Sequence, residues 1–155
     1  MRAKRAKVGD IIEIHVHKEY YCYAQKLQHG ETVFFDYKSE YPLNDYSVLD
    51  SCKPLFFVAI YDYILKKGIW HIVANHPVRD TFKDIRMYYI YHKFENTYEL
   101  YNSETGDITP ASREMCRGLE CCAVWGDNHV EDRIYDYYAG HPCIWMKEHD
   151  ELWKE

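Results

Sequence analysis

The sequence has few of the patterns that mark catalytic or metal sites. It contains no GxSxG or HExxH motif, and its 7 glycines are scattered singly instead of forming a phosphate-binding loop. Its 6 cysteines include no CxxC pair, so the sequence indicates neither a structural zinc nor a dithiol redox motif. We therefore predict a protein that is not an enzyme and that uses no metal or other cofactor.

Long apolar runs are also missing. No stretch is long enough to cross a membrane, and the start "MRAKRAKVG" lacks the apolar core of a secretion signal. With the cysteines interpreted as reduced thiols, these features predict a cytoplasmic protein without a membrane partner. The length predicts a single domain over residues 1–155, in which residues 1–7 form a flexible basic arm.

Positive charge is clustered only in that arm, and the formal net charge is −6. Phosphate contacts need a clustered basic surface, so a nucleic-acid partner is not expected. Aromatic residues, by contrast, make up 17% of the chain and include 16 tyrosines. This composition favours a β-rich fold and suits a surface that recognises another protein.

Alternating apolar residues predict a strand-rich first half. The segments "IIEIHVH", "YYCYAQKL" and "TVFFDY" are joined by short turns and predict an antiparallel meander. The charged glycine turn "KKG" lies between "PLFFVAIYDYIL" and "IWHIVA", which predicts a long hairpin. A second hairpin is predicted from "IRMYYIYH" and "TYELYN".

The stretch "NHVEDRIYDYYAGHP" predicts a helix near the end of the chain. Asn128 is the expected N-cap and Gly140 the expected stop. Val130, Ile134, Tyr137 and Tyr138 share one face at helical spacing and are expected to contact the core. The predicted fold class is α+β: a curled antiparallel β-sheet, or a small partly open barrel, with C-terminal helices packed on it.

The pair His15 and His17 is the most suggestive metal pattern. Alternate residues of a strand share a face, so both rings should point to one side, as in metal-dependent hydrolases. Two further ligands would be needed, and the sequence does not identify them. The last helix also carries His129 among acidic residues, but Arg133 stands between them and would compete with a cation.

Carboxylates interleaved with tyrosines indicate a surface for a basic protein partner, with charge giving fast association and aromatic rings giving affinity. The pattern occurs at the end of the third strand, at the tip of the first hairpin and on the outer face of the last helix. The predicted partner-binding residues are Asp36, Tyr37, Glu40, Asp62, Tyr63, Asp132, Tyr135 and Asp136.

Five segments, taken in order, resemble the immunity protein 26 family of bacterial polymorphic toxin systems. They are "KVGDIIEI", "YYCYAQKL", "VFFDYKSEYP", "LFFVAIYDYILKKGIWHIV" and "AVWGDNHVEDRIYDYYAGHPCIW", which together cover about Lys7 to Trp145. The resemblance implies an immunity protein that binds and neutralises a cognate toxin in the cytoplasm by stoichiometric protein–protein inhibition. The acidic charge fits a basic toxin, such as a nuclease domain.

The same resemblance implies an alternative function. Some relatives carry a phosphotriesterase label, so the chain could instead be a small metal-assisted phosphoester hydrolase. His15 and His17, however, stand where relatives tend to have a strand without histidine. The resemblance therefore does not support the histidine pair as a metal motif of the family.

Overall fold

The computed structural model describes residues 5–155. The basic arm predicted for residues 1–7 falls partly on residues 1–4, which lie outside the described residues. Within the rest of that segment, Lys7 donates its backbone N–H to the carboxylate of Asp10 over 2.8 Å. This hydrogen bond ties Lys7 to the beginning of the first strand.

The chain folds as an α+β protein, which confirms the predicted fold class. The described residues form nine strands: β1 (Asp10–Val16), β2 (Tyr20–Lys26), β3 (Thr32–Ser39), β4 (Pro54–Ile60), β5 (His71–Asn75), β6 (Met87–His92), β7 (Thr97–Asn102), β8 (Ile108–Ala111) and β9 (Val124–Trp125). Their α-helices are α1 (Tyr63–Lys66), α2 (Arg113–Cys116), α3 (Asp127–Ala139) and α4 (Lys147–Leu152). Short 3₁₀ helices occupy Gln28–Gly30, Ser47–Ser51, Asp80–Lys83 and Ile144–Met146. Within residues 5–155, no helix combines the length and the apolar character needed to cross a membrane.

The strands form two sheets. The larger has the order β5-β1-β2-β3-β4-β9 and the smaller the order β6-β7-β8. Strands β1 to β3 form the predicted antiparallel meander, β4 extends it antiparallel to β3, and β6 pairs with β7 as the predicted second hairpin. The short strand β9 joins β4 in parallel. Neither sheet closes on itself, so the structure consists of two open sheets and not of a closed barrel.

The first hairpin, predicted around "KKG", is not formed. Strand β4 pairs with β3, whereas β5 pairs with β1 at the opposite edge of the sheet. The connection includes α1 and places Ile64 and Trp70, 0% and 2% exposed, in the core on one sheet face. Burying these two side chains removes a large apolar surface from water, which favours the crossover over an exposed hairpin tip.

The main core lies between the six-stranded sheet and α3. Strand β1 contributes Ile12, Ile14 and Val16, because alternate side chains of a strand point to the same face. Helix α3 contributes Val130 and Ile134, which lie one helical turn apart and are fully buried, as predicted. The packing of α3 on this core confirms that a C-terminal helix covers the sheet.

The ends and the core face of α3 differ in part from the prediction. The helix stops at Gly140, as expected, with a left-handed φ of 81° that favours glycine. Its N-cap is Gly126, so the prediction of Asn128 as the cap is wrong by two residues. Tyr138 packs against the core as predicted, but Tyr137 is 53% exposed and is not a core residue.

A buried ion pair joins the two sheets. The carboxylate of Glu31, 6% exposed, accepts hydrogen bonds from the Arg86 guanidinium at 2.7 and 3.2 Å. Tyr88 of β6 donates its hydroxyl to the same carboxylate. The guanidinium also donates to the carbonyl of Phe82 over 2.7 Å and lies 4.0 Å from the ring centre of Phe57. Side chains from both sheets therefore share one polar cluster.

Buried tyrosines should make this fold sensitive to alkali. Burial is the largest cause that raises the pKa of Tyr23, Tyr88, Tyr89 and Tyr138 well above its ordinary value. In the unfolded chain these phenols ionise near pH 10, whereas in the folded chain they stay protonated. Their contribution to stability is therefore complete below about pH 10 and decreases as the pH rises further, and we expect the urea midpoint to fall over that range.

A matched variant tests this cause. The hydroxyl of Tyr20 is buried and has no hydrogen-bond partner among residues 5–155, and burial raises its pKa as well. At neutral pH the urea midpoint of Tyr20→Phe should therefore equal that of the native chain. Above about pH 10 the midpoint of the variant should fall less steeply than that of the native chain. A wild-type midpoint that stays constant from about pH 9 to 11.5 would contradict the prediction.

Candidate functional site

An open cavity of about 580 Å³ lies between the smaller sheet and the C-terminal segment. We call it the aromatic cleft, because its walls include Tyr89, Tyr91, Trp125 and Trp145. These rings come from β6, β9 and the segment after α3. The cleft is thus built where three separate parts of the chain meet.

The ring of Trp145 is the most accessible large aromatic surface of the cleft. Its side chain is 49% exposed, and its indole N–H donates to the carboxylate of Asp132 over 2.8 Å. The ring of His129 lies against it with 4.0 Å between ring centres. Two side chains of α3 therefore hold Trp145 in place while leaving half of it open to a ligand.

Two lining residues of the cleft, Glu120 and Trp125, contact Arg133. Its guanidinium pairs with Glu120 over 2.7 Å and lies over the rings of Phe56 and Trp125, at 3.8 and 5.0 Å from their centres. Arg133 and Glu120 are each 15% exposed. Arg133 therefore turns away from the acidic face of α3, where the sequence had suggested that it would compete with a cation.

The C-terminal wall is attached by hydrogen bonds to its own backbone. Arg113 donates from its guanidinium to the carbonyl of Leu152 at 2.7 and 3.2 Å, and Arg117 to the carbonyl of Trp153 at 3.5 Å. These cationic groups satisfy carbonyls at the end of α4, which is the favourable charge for that helix end. Among the lining residues, the hydroxyl of Tyr89 lies 2.5 Å from Nδ1 of His149.

The cleft contains a thiol, but not an activated one. Cys121 lines the cavity, and burial raises the pKa of its thiol above the ordinary value. The thiolate is the nucleophilic form, so this cysteine stays protonated and weakly reactive at neutral pH. Cys121 is therefore not an activated nucleophile of the cleft.

The negative charge of the chain is concentrated in the segment that builds the cleft. Residues 119–155 carry nine Asp and Glu against three Lys and Arg, whereas residues 1–118 carry sixteen of each. The entire formal net charge of −6 therefore belongs to residues 119–155. Of these carboxylates, Glu148 and Glu151 line the cleft and are exposed. Within residues 5–155, neither forms a hydrogen bond or ion pair with another side chain.

Helix α3 connects the three groups of predicted partner-binding residues. At its beginning, Asp127 accepts a hydrogen bond from the hydroxyl of Tyr63 over 2.9 Å, beside the exposed Asp62. Near its end, Tyr137 and Tyr138 donate their hydroxyls to the carboxylate of Asp36 at 3.1 and 3.0 Å. With 13 residues the helix is about 20 Å long, so these groups lie along one ridge.

The remaining predicted residues differ in their surroundings. Asp136 pairs with His141 over 3.4 Å, and Tyr135 makes an edge contact with the ring of His17. Glu40 is exposed, whereas Tyr37 packs against the second core cluster on the other face of the larger sheet. The structure thus brings Tyr63, in the crossover that contains α1, together with α3, but not Tyr37.

The histidine pair does not have the predicted arrangement. His15 stacks on Tyr21 of the neighbouring strand, with 4.2 Å between ring centres. His17 has a left-handed φ of 49° and turns instead to α3, where its Nε2 lies 3.1 Å from the carboxylate of Asp132. The prediction that both rings point to one side is therefore wrong, because β1 has ended before His17. In residues 5–155 no three His, Cys, Asp or Glu side chains are grouped as metal ligands.

Sequence reasoning missed most of the cleft. Tyr89, Tyr91, Trp125 and Trp145 were not among the predicted binding residues, and neither were Glu148 and Glu151. Counting charge by segment would have identified residues 119–155 as the acidic part of the chain. No local pattern would have added the two tyrosines of β6, because they reach the cleft only through the packing of the smaller sheet.

Comparisons of the chain with models of known protein families, with curated protein sequences and with solved structures found no match. The resemblance to the immunity protein 26 family stays a prediction.

Proposed function

We propose that this chain is an immunity protein that binds a basic toxin and neutralises it by stoichiometric inhibition. The observation that carries the proposal is the coincidence of charge and shape in residues 119–155. This segment holds the whole net charge of −6 and also contributes Trp125 and Trp145 to an open cleft. We propose the outer face of α3 and the rim of this cleft as the toxin-binding surface.

Charge and aromatic surface would contribute to binding in different ways. Carboxylates on the surface accelerate the approach of a basic partner and repel acidic ones. Exposed aromatic rings, such as those of Trp145 and Tyr63, supply the anchors that usually dominate affinity. A ridge about 20 Å long, together with the cleft, is comparable in extent to one side of an ordinary protein–protein interface.

The proposal includes the cytoplasm as the compartment in which the two proteins meet. All six cysteines are free thiols, which fits a reducing compartment. A toxin that acts on nucleic acid would carry the basic surface that the acidic segment suits. The inhibited activity would then depend on the toxin, because the immunity protein needs to contribute only a complementary surface.

Charge reversal at the cleft tests the proposal. Cells that produce the toxin encoded beside this chain should survive when the native chain is also present. With Glu148→Lys/Glu151→Lys, we expect protection to fail and the dissociation constant, measured by calorimetry, to rise by about ten- to a hundred-fold. Both side chains are exposed, so the variant should fold normally.

The matched control is Glu104→Lys/Asp107→Lys, which makes the same change of charge at the exposed turn between β7 and β8. It should protect cells like the native chain. Equal killing with and without the native chain would contradict the proposed function. Equal loss of protection in both double variants would show that overall charge matters and the cleft does not.

A further inference from the structure

We propose that the aromatic cleft receives a short arginine-bearing segment of the partner protein. One arginine of that segment stacks its guanidinium on the exposed face of Trp145 and pairs with Glu148 or Glu151. The inference rests on the proposed function, since the segment is taken to belong to the toxin. Beyond the proposed function, it specifies that the cleft selects a guanidinium group.

The size and openness of the cleft fit a segment of chain better than a single side chain. Its volume of about 580 Å³ lies within the range of about 300–1,000 Å³ that is typical of clefts for drug-sized ligands. Met146 and Leu152 contribute apolar surface beside the aromatic rings. An arginine with apolar neighbours would therefore be complementary to the walls.

The charge of the lining favours a cation. Glu120 is already neutralised by Arg133 over 2.7 Å, but Glu148 and Glu151 have no side-chain partner within residues 5–155. Lys93 also lines the cleft, so these two carboxylates outnumber its single charge. An acidic segment would meet repulsion at the rim, whereas a cationic one gains the two unpaired carboxylates.

Arginine fits this site better than lysine does. The chain itself combines a guanidinium, an indole and a carboxylate at the edge of the cleft, where Arg133 lies over Trp125 and pairs with Glu120. A second such arrangement places Arg113 and Arg117 over the ring of Trp153, at 5.7 and 5.8 Å from its centre. A planar guanidinium can stack on an indole and hydrogen-bond at its edge simultaneously, which an ammonium group cannot do.

The probe is a capped five-residue peptide of alternating leucine and arginine, titrated into the ¹⁵N-labelled full chain. We expect saturable shifts of the indole N–H signals of Trp125 and Trp145. The indole of Trp70 is 2% exposed and donates to Glu131, so its signal should stay in place and serve as the internal reference. The lysine version should bind about three- to ten-fold more weakly, and the glutamate version should not bind.

Two variants in the cleft and one control variant outside it locate the site. Glu148→Gln/Glu151→Gln should weaken peptide binding about five- to ten-fold, whereas Glu104→Gln/Asp107→Asn should leave it unchanged. Ala123→Trp places a large ring in the lining at an exposed position, so it should fill the cleft and abolish binding without disturbing the core. Near-identical binding by all three variants would overturn the inference.

Further outcomes separate this inference from the proposed function. No shift up to about 1 mM peptide, or equal binding of the arginine and glutamate peptides, overturns the inference. Equal affinity for the peptide and for free arginine amide would indicate a pocket for a small cation instead of a segment, and also overturns it. Protection from the toxin that persists in Ala123→Trp rejects the cleft but keeps the immunity function. Peptide binding without any protection by the native chain supports the cleft and rejects that function.

Discussion

Replacing Glu31 by alanine is expected to lower the free energy of unfolding by about 3–5 kcal/mol. The carboxylate is 6% exposed and accepts hydrogen bonds from Arg86 and from the hydroxyl of Tyr88. Without it, a guanidinium that is only 19% exposed and a buried phenol lose their partner. An uncompensated buried charge is among the most destabilising changes that a single substitution can make.

Urea denaturation at neutral pH measures this effect. Glu31→Gln loses the charge and one acceptor oxygen but keeps a carbonyl oxygen that can accept from Tyr88, so it should cost less than alanine. Glu104→Ala removes an exposed carboxylate and should change stability by less than about 0.5 kcal/mol. A Glu31→Ala variant within about 1 kcal/mol of the native chain would mean that the junction between the sheets relaxes around the lost group.

The second large effect is expected at Arg133, where Arg133→Ala should cost about 3–5 kcal/mol. Arg133 and Glu120 are each 15% exposed, so removing the cation leaves a poorly solvated carboxylate at the edge of the cleft. The substitution also removes the cover of the Phe56 and Trp125 rings. Lys83→Ala, which breaks an exposed pair with Asp80, should cost less than about 1 kcal/mol.

A double variant separates the charge from the packing. Arg133→Met keeps much of the side-chain volume, and combining it with Glu120→Leu removes both charges together. We expect the double variant to recover most of the stability lost by Arg133→Met alone, because no unpaired charge remains. The loss of stability in the double variant could instead equal the sum of the losses in Arg133→Met and Glu120→Leu. That result would show that the ion pair contributes little and that ring packing dominates.

The strand-rich first half was predictable because its signals are local. Ile12, Ile14 and Val16 alternate with polar residues, and alternation defines both a strand and its buried face. The order of β1 to β3 then follows from short turns. The route from β4 to β5 was not predictable in the same way, since "KKG" fits a hairpin tip and a crossover equally well. Only the packing of Ile64 and Trp70 in the core distinguishes the two routes.

For the candidate site, too, features set by local sequence could be predicted, whereas features set by long-range packing could not. Gly140 marks the end of α3 because its left-handed backbone is a local requirement. His17 was misplaced because a turn residue does not follow the alternation of the strand before it. The cleft depends on Tyr89 and Trp145, which are far apart in the sequence and belong to elements whose contact no pattern encodes. Sequence reasoning therefore reached the helix at the edge of the site, but not the cleft.

The position of α3 in the chain has a consequence for synthesis. The larger sheet has its central strands by Ile60, but Val130 and Ile134 cover its core only after residue 139 has left the ribosome. At ordinary rates of translation this interval is about 4 to 16 s, during which the apolar face is accessible to chaperones, proteases and other nascent chains. The native fold is therefore completed late, and a chain terminated before α3 would lack both the cover of its core and most of the acidic segment. Truncated products, which keep an uncovered apolar sheet face, should consequently be removed by quality control instead of accumulating.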